Sequence, residues 1–205
     1  MGKAENIHPV FDQILKRKDK EKLLNQRSKV IWCTGLSGAG KTTLAKNIEK
    51  ALHYKGHLAQ VLDGDNIRSG INNNLGFSDE ERRENIRRIS EVSKLLIESG
   101  VITINSFISP TTEIRKLAMD IIGKDNFIEI YVKAPLAVCE SRDVKGLYKK
   151  AREGKIKHFT GIDSPFEAPD NPDLIIDTHQ NSIDECRTIA MDYILPKITF
   201  NNQKA

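Results

Sequence analysis

A chain of 205 residues, 39% of them hydrophobic, fits one globular domain with a substantial core and a short accessory segment, and is too short for two full domains. Its 32 Lys and Arg against 28 Asp and Glu leave a formal charge of only +4, which argues against a nucleic-acid coat and leaves any basic function to local clustering. Cys33, Cys139 and Cys186 are odd in number and far apart, with no Cys-x-x-Cys pair and no histidine at ligand spacing, so they read as reduced, buried thiols rather than as a disulfide framework or a zinc site.

Residues 1–28 are highly charged, poor in apolar residues and read as an N-terminal arm; one apolar group within them, Val10, Phe11, Ile14 and Leu15, could dock a short helix. No basic-then-apolar signal sequence precedes them, position 6 is Asn where a myristoylation motif has Ser or Thr, and no stretch approaches a membrane span. A cytoplasmic protein with no membrane partner is the expectation. From Lys29 onward, short apolar runs alternate with longer amphipathic segments, as βαβ units do. The expected strands are Val30–Thr34, Leu58–Asp63, Val101–Phe107, Phe127–Val132 and Leu174–Asp177. Five such runs separated by helical segments predict an α/β architecture in three layers, a five-stranded, mainly parallel sheet with helices on both faces. The segment Ser78–Ser99 predicts a helix, because Ser78 and Glu81 make a capping box and Ile86, Ile89, Val92 and Leu96 recur at helical spacing. The domain is expected over 29–200, with 201–205 as a frayed tail.

The strongest chemical signal is Gly35-Leu36-Ser37-Gly38-Ala39-Gly40-Lys41-Thr42, a full Walker A motif placed after a strand and opening a helix, with Thr43 following it. Glycines let the backbone wrap phosphate oxygens, Lys41 would neutralise the β and γ oxygens of ATP, and the Thr42 hydroxyl would hold Mg²⁺. The motif alone does not separate kinases from hydrolytic switches or motors.

An acceptor site is suggested by Asp63-Gly64-Asp65-Asn66-Ile67-Arg68, which sets two carboxylates and a guanidinium at the C-terminal end of a strand, where open α/β sheets bind ligands. Asp63 or Asp65 could orient an acceptor hydroxyl and take its proton, and Arg68 could hold an acceptor anion, although a solvated Asp-Gly turn fits the hexapeptide in isolation equally well. Phe77, followed by Arg82 and Asn85 on one helix face, would suit a planar base carrying an anionic group; a charged solvent face explains the same residues. Ser106-Phe-Ile108-Ser109-Pro110 closes the third strand and puts hydroxyls at the same edge, as would a simple turn before proline. Between Arg142 and Thr160, seven Lys or Arg face two acids, a pattern expected of a basic lid that closes over phosphates and excludes water.

Taken together, these blocks resemble one family, adenylylsulfate kinase (APS kinase) among the P-loop kinases. The resemblance rests on the Walker loop, the Asp63–Arg68 block, Asn74-Leu-Gly-Phe-Ser78, Glu84-Asn-Ile-Arg-Arg88, the Ser106–Pro110 block, Val144-Lys-Gly-Leu-Tyr-Lys-Lys-Ala-Arg152 and Phe159-Thr-Gly-Ile-Asp163, and covers about Asn6 to Asp177. It implies transfer of the γ-phosphoryl group of ATP to the 3′-hydroxyl of adenosine 5′-phosphosulfate (APS), giving 3′-phosphoadenosine 5′-phosphosulfate (PAPS) and ADP with Mg²⁺, in sulfate activation. Carried over by position, Asp65, Asn66, Ile67, Arg68, Phe77, Arg82, Asn85, Ile108, Ser109, Lys145 and Phe159 would contact APS, with Phe77 and Phe159 sandwiching its adenine. Lys41, Asp63 and Ser109 would be catalytic. Asp63 would serve the metal or the acceptor hydroxyl, and Ser109 matches a serine assigned in the family as a phosphorylated intermediate. Direct in-line attack needs only orientation and charge stabilisation, so Ser109 is expected to position the acceptor rather than carry phosphate. His158 departs from the family pattern, which usually has Gly there, and this puts the local loop shape in question. A homodimer and a functional link to a separate ATP sulfurylase are further expectations from the resemblance. A nucleoside or nucleotide kinase of the same fold and a non-catalytic nucleotide-binding partner of a sulfurylase are the rival readings.

Overall fold

The computed structural model describes residues 8, 10 and 12–200; the expected frayed tail at 201–205, and Phe11 of the arm's apolar group, lie outside them. The chain runs α1 (Arg17–Leu24), β1 (Val30–Thr34), α2 (Lys41–Tyr54), β2 (Ala59–Asp63), α3 (Gly64–Ser69), α4 (Asp79–Glu98), β3 (Ile102–Ser106), α5 (Thr112–Ile122), β4 (Phe127–Lys133), α6 (Leu136–Arg142), α7 (Leu147–Arg152), β5 (Leu174–Asp177) and α8 (Ile183–Ile198). The five strands form one sheet in the order β2-β3-β1-β4-β5, with every neighbouring pair parallel. All five expected strands are present, with ends displaced by one residue at most.

Strand alternation divides the core in two. On β1, Ile31 and Cys33 join the cluster built from α2 and α8, whereas Val30 and Trp32 face the cluster built from α4 and α5. Each face of the sheet thus buries an apolar helix stripe, which is the three-layer α/β arrangement the sequence predicted. Helix α4 begins as its capping box requires, with Ser78 Oγ accepting from the Glu81 amide and Glu81 Oε2 accepting from the Ser78 amide at 3.1 Å.

The arm behaves differently from the simplest reading of its apolar group. Val10, Ile14 and Leu15 are exposed, and the short helix is the charged segment α1 that follows them. Its anchor is polar. Arg17 bonds Asn126 Oδ1 at 2.8 Å, and the buried Glu21 accepts from both the amide and hydroxyl of Ser28. Gln26, also buried, donates to the carbonyls of Leu58 and Gly100 and accepts from the Leu58 amide. These bonds satisfy backbone groups at the N-terminal edge of β2 and β3, so residues 17–28 close the end of the sheet opposite the phosphate loop.

Candidate active site

The phosphate loop leaves β1 at the centre of the sheet. A Cβ on Gly35 would lie 2.4 Å from the Val132 carbonyl oxygen, and one on Gly38 would lie 2.9 Å from that of Cys139, so the loop sits flush against β4 and α6 only because these positions lack side chains. Lys41 opens α2 and is buried, its Nζ donating to the Gly35 and Leu36 carbonyls at 2.9 and 2.7 Å. Burial pushes its amine down to about 8.

Strand register supplies the next groups. Asp63 on β2 pairs with Ser106 on β3, and both end their strands beside the start of α2. Thr42 Oγ1 donates to Asp63 Oδ2 at 2.7 Å and lies 3.3 Å from Ser106 Oγ, while Asp63 Oδ1 caps α3 by accepting from the Asp65 amide. A carboxylate and two hydroxyls converging at the mouth of a phosphate loop form a hard-oxygen donor set that fits Mg²⁺, an ion bound through few protein oxygens and completed by phosphate and water.

The opposite wall comes from α3, α4 and the 158–160 loop. Arg68 donates to the Leu75 and Gly76 carbonyls and stacks its guanidinium 4.4 Å from the centroid of Phe77, which is 60% exposed. Arg82 ties both edges of this wall together: Nε donates to the Phe77 carbonyl at 2.8 Å, Nη1 to Thr160 Oγ1 at 2.6 Å, and Nη2 to the His158 carbonyl. Asn85 is buried and held by Asn72 Nδ2 at 3.0 Å. His158 occupies the left-handed region at φ 57°, the conformation that a glycine would adopt without strain, and its amide donates to Asp163.

Ser109 is also left-handed, at φ 46°, and is buried at the end of β3. Its Oγ accepts from Trp32 Nε1 at 2.9 Å, and its carbonyl accepts from Arg115 Nη1 at 3.0 Å. Arg115 is buried in turn and ion-paired with Glu129 on β4 at 3.2 Å. The segment expected to form a basic lid comprises the end of α6, α7 and the residues that follow. From it, Lys145 reaches across to the Asp65 carboxylate, and Arg142 donates to the Gly38 carbonyl and to Thr178.

One cleft of about 1030 Å³ is lined by residues of both walls, including Lys41, Thr42, Asp63, Arg68, Phe77, Arg82, Ser109, Lys145 and Phe159. Ser37, Gly38, Gly40, Thr43, Asp65, Asn66, Asn85 and Ile108 line it as well, whereas Gly35, Leu36, Ala39 and Ile67 do not. Ala39 is buried in the core, Leu36 packs against that core, and Ile67 packs on the α4 and α5 side. Sequence reasoning missed Trp32, Tyr148, Arg115 and Thr178. Thr178 directly follows β5 at the same C-terminal edge, and that position is the signal that marks it: its Oγ1 donates to the Ala39 carbonyl at 2.7 Å. Trp32 reads as core in any periodicity analysis, and nothing in the sequence shows that its indole N–H points at a serine.

A family model described as adenylylsulphate kinase matches residues 27–177. The chain belongs to this family. The adenylyl-sulfate kinase of Bacteroides thetaiotaomicron is 57% identical over 198 residues, spanning 97% of this chain and 98% of that protein. Among solved structures, the Mycobacterium tuberculosis APS kinase CysC in complex with AMPPNP and APS is 47% identical, with a TM-score of 0.80 over 82% of this chain and 98% of that one. A hexameric APS kinase from Thiobacillus denitrificans is 30% identical, with a TM-score of 0.60, and matches 84% of this chain but 29% of the longer chain. An adenylylsulfate kinase from this family is a P-loop kinase, and the all-parallel sheet with its loop at the end of β1 is that fold. Among the described residues, no helix is long and apolar enough to cross a membrane.

Proposed function

We propose that the protein transfers the γ-phosphoryl group of ATP to the 3′-hydroxyl of APS, forming PAPS and ADP. The observation that carries this reading is the single cleft with a phosphate loop on one wall and an aromatic, guanidinium-rich surface on the other, a shape that takes two nucleotides facing each other. Membership of the adenylylsulfate kinase family supplies the acceptor.

In this reading the loop and Lys41 hold the donor's β and γ phosphates, and the charge on Lys41 stabilises the transferring group. Mg²⁺, when bound, would be held by the Thr42 hydroxyl with Asp63 and would neutralise charge between the β and γ oxygens. Phe77 and Phe159 flank the acceptor's adenine, Arg68 and Arg82 meet its anionic group, and Asp63 orients the ribose hydroxyl. Asp65, Asn66, Ile108 and Lys145 complete the acceptor wall, and Ile67 supports it from behind. The lid excludes water that would otherwise hydrolyse ATP.

Direct transfer is favoured by the surroundings of Ser109. Its Oγ accepts a hydrogen bond from the Trp32 indole, which withdraws electron density from the oxygen and leaves the hydroxyl proton free to point elsewhere. No carboxylate or imidazole among the described residues bonds to that oxygen, so it lacks the base that a nucleophilic serine needs. Ser109 is then a hydrogen-bonding residue of the acceptor site. With Ser109→Ala, turnover should persist at a reduced level; complete loss in a folded protein that still binds APS would count against direct transfer.

The deciding measurement is ADP release with APS, AMP or adenosine as acceptor. Release stimulated by APS alone supports the proposal; stimulation by AMP or adenosine instead would favour a nucleotide or nucleoside kinase, and no stimulation would favour a non-catalytic module. The same reading extends to a homodimer in the cytoplasm, supplied with APS by a separate ATP sulfurylase, and the hexameric Thiobacillus relative supports self-association in this family. Light scattering of the purified chain tests the dimer.

A further inference from the structure

We propose that Tyr148 is a positioning residue that couples the two walls of the cleft, so that a nucleotide in the phosphate loop tightens the acceptor clamp. The inference rests on the reading that Phe159 takes the adenine of APS.

Tyr148 lies in the second position of α7, where Asp143 fixes the helix start by accepting from the Tyr148 and Lys149 amides, each at 3.0 Å. Its side chain is buried between two functional segments. The phenol donates to the carbonyl of Ser37, inside the phosphate loop, at 2.9 Å. The ring meets Phe159 edge-on, with centroids 4.9 Å apart and planes at 77°. Burial raises the phenol well above its ordinary pKa, so it remains a donor throughout the neutral range.

The same two segments touch again on the outer side of the loop. A Cβ on Gly161 would lie 3.0 Å from Leu36 Cδ2, so the turn after Phe159 is packed against the second residue of the phosphate loop. The donor loop and the acceptor's aromatic ring are therefore joined through one fixed side chain and one close packing contact, although Ser37 and Phe159 are far apart in sequence. A polyphosphate that restrains Ser37 restrains the hydroxyl of Tyr148, and with it the ring that buttresses Phe159. The acceptor then meets a clamp whose ordering cost has already been met by the donor, which produces positive coupling without a large rearrangement. Reciprocity requires APS to raise nucleotide affinity by the same factor.

The test is calorimetric titration of the full chain with APS, alone and with saturating Mg²⁺-ADP. The wild type should bind APS about fivefold or more tightly when ADP is present, at the low end of ordinary coupling between sites. Tyr148→Phe keeps the ring against Phe159 and removes the bond to Ser37, so the ratio should fall below about twofold while APS affinity without ADP changes by less than about threefold. Phe159→Leu cuts the other end of the link and should lower the same ratio, whatever it does to APS affinity itself. This second variant keeps the proposal testable if Tyr148→Phe folds poorly. A residue with only a structural role would lower the melting temperature and leave the ratio intact. Retention of the wild-type ratio in Tyr148→Phe, or the absence of coupling in the wild type, would overturn the inference while leaving the acceptor assignment standing. Failure of the wild type to bind APS at all would sink the acceptor assignment and this inference together.

Discussion

The two walls of the cleft are built by different means. The proposed donor wall is a contiguous segment, Gly35 to Thr43, in which Lys41 bonds to carbonyls only five and six residues away and glycines let the backbone lie against β4 and α6. The proposed acceptor wall is assembled from distant parts of the chain: Arg82 reaches Thr160, Lys145 reaches Asp65, and Trp32 reaches Ser109. Lys41 is buried, whereas Phe77, Asp65 and Lys145 are largely open to solvent. A wall closed by local geometry is ready before its ligand arrives. A wall closed by long-range polar contacts depends on many parts holding at once.

The contrast predicts that damage to the donor wall affects every acceptor equally and is the more severe. Lys41→Met should lower kcat/KM by about 10³-fold, because it removes the main fixed positive charge from the transferring group. Circular dichroism should be unchanged, and residual activity above one-tenth of wild type would break the assignment. Arg82→Ala removes three hydrogen bonds from the acceptor wall and should raise the APS KM by about 30-fold while the ATP KM stays within about twofold. An equal rise in both constants would mean that the walls do not act as separate units.

The same contrast explains what the sequence revealed. Short apolar runs defined all five strands, and a capping box defined the start of α4, because these depend on neighbours within a few residues. The Walker loop was legible for the same reason. Which residues of these blocks touch one another was not legible, since the Arg82 to Thr160 and Tyr148 to Ser37 bonds depend on the sheet order and the path of residues 142–160. The arm shows the opposite error: its apolar side chains suggested the anchor, but Arg17, Glu21 and Gln26 make it through buried hydrogen bonds that hydropathy does not register.

Acid–base titration sharpens the comparison from the donor side. Burial lowers Lys41 to about 8, so the ligand-free protein loses this charge as the pH rises through that value. If only the charged amine binds triphosphate, ATP affinity should fall about eightfold between pH 7.5 and 9, while APS affinity without nucleotide stays level. The stability of the ligand-free protein should move the other way. Between about 8 and the ordinary lysine value the unfolded chain holds the extra proton, so Lys41's contribution makes stability rise with pH across that window and stay flat below it. In Lys41→Met both trends should vanish; their persistence would assign them to another group.

The smallest effect concerns the acceptor wall's own backbone. His158 holds φ 57°, with its amide bonded to Asp163 and its carbonyl to Arg82, so the strain is set by the loop and not by the imidazole. A left-handed non-glycine residue costs about 1 kcal/mol, and glycine gives back about half of that as extra freedom in the unfolded chain. His158→Gly should therefore stabilise the protein by only about 0.5 kcal/mol, a rise of roughly 1–2 °C in Tm. Its neighbour Gly161, at φ 92° and in contact with Leu36, has no such latitude: Gly161→Ala adds both backbone strain and a close contact and should lower Tm by several times that amount. If His158→Gly instead weakened APS binding strongly with no change in Tm, the imidazole would be an acceptor contact, and the acceptor wall would extend one residue further than Phe159.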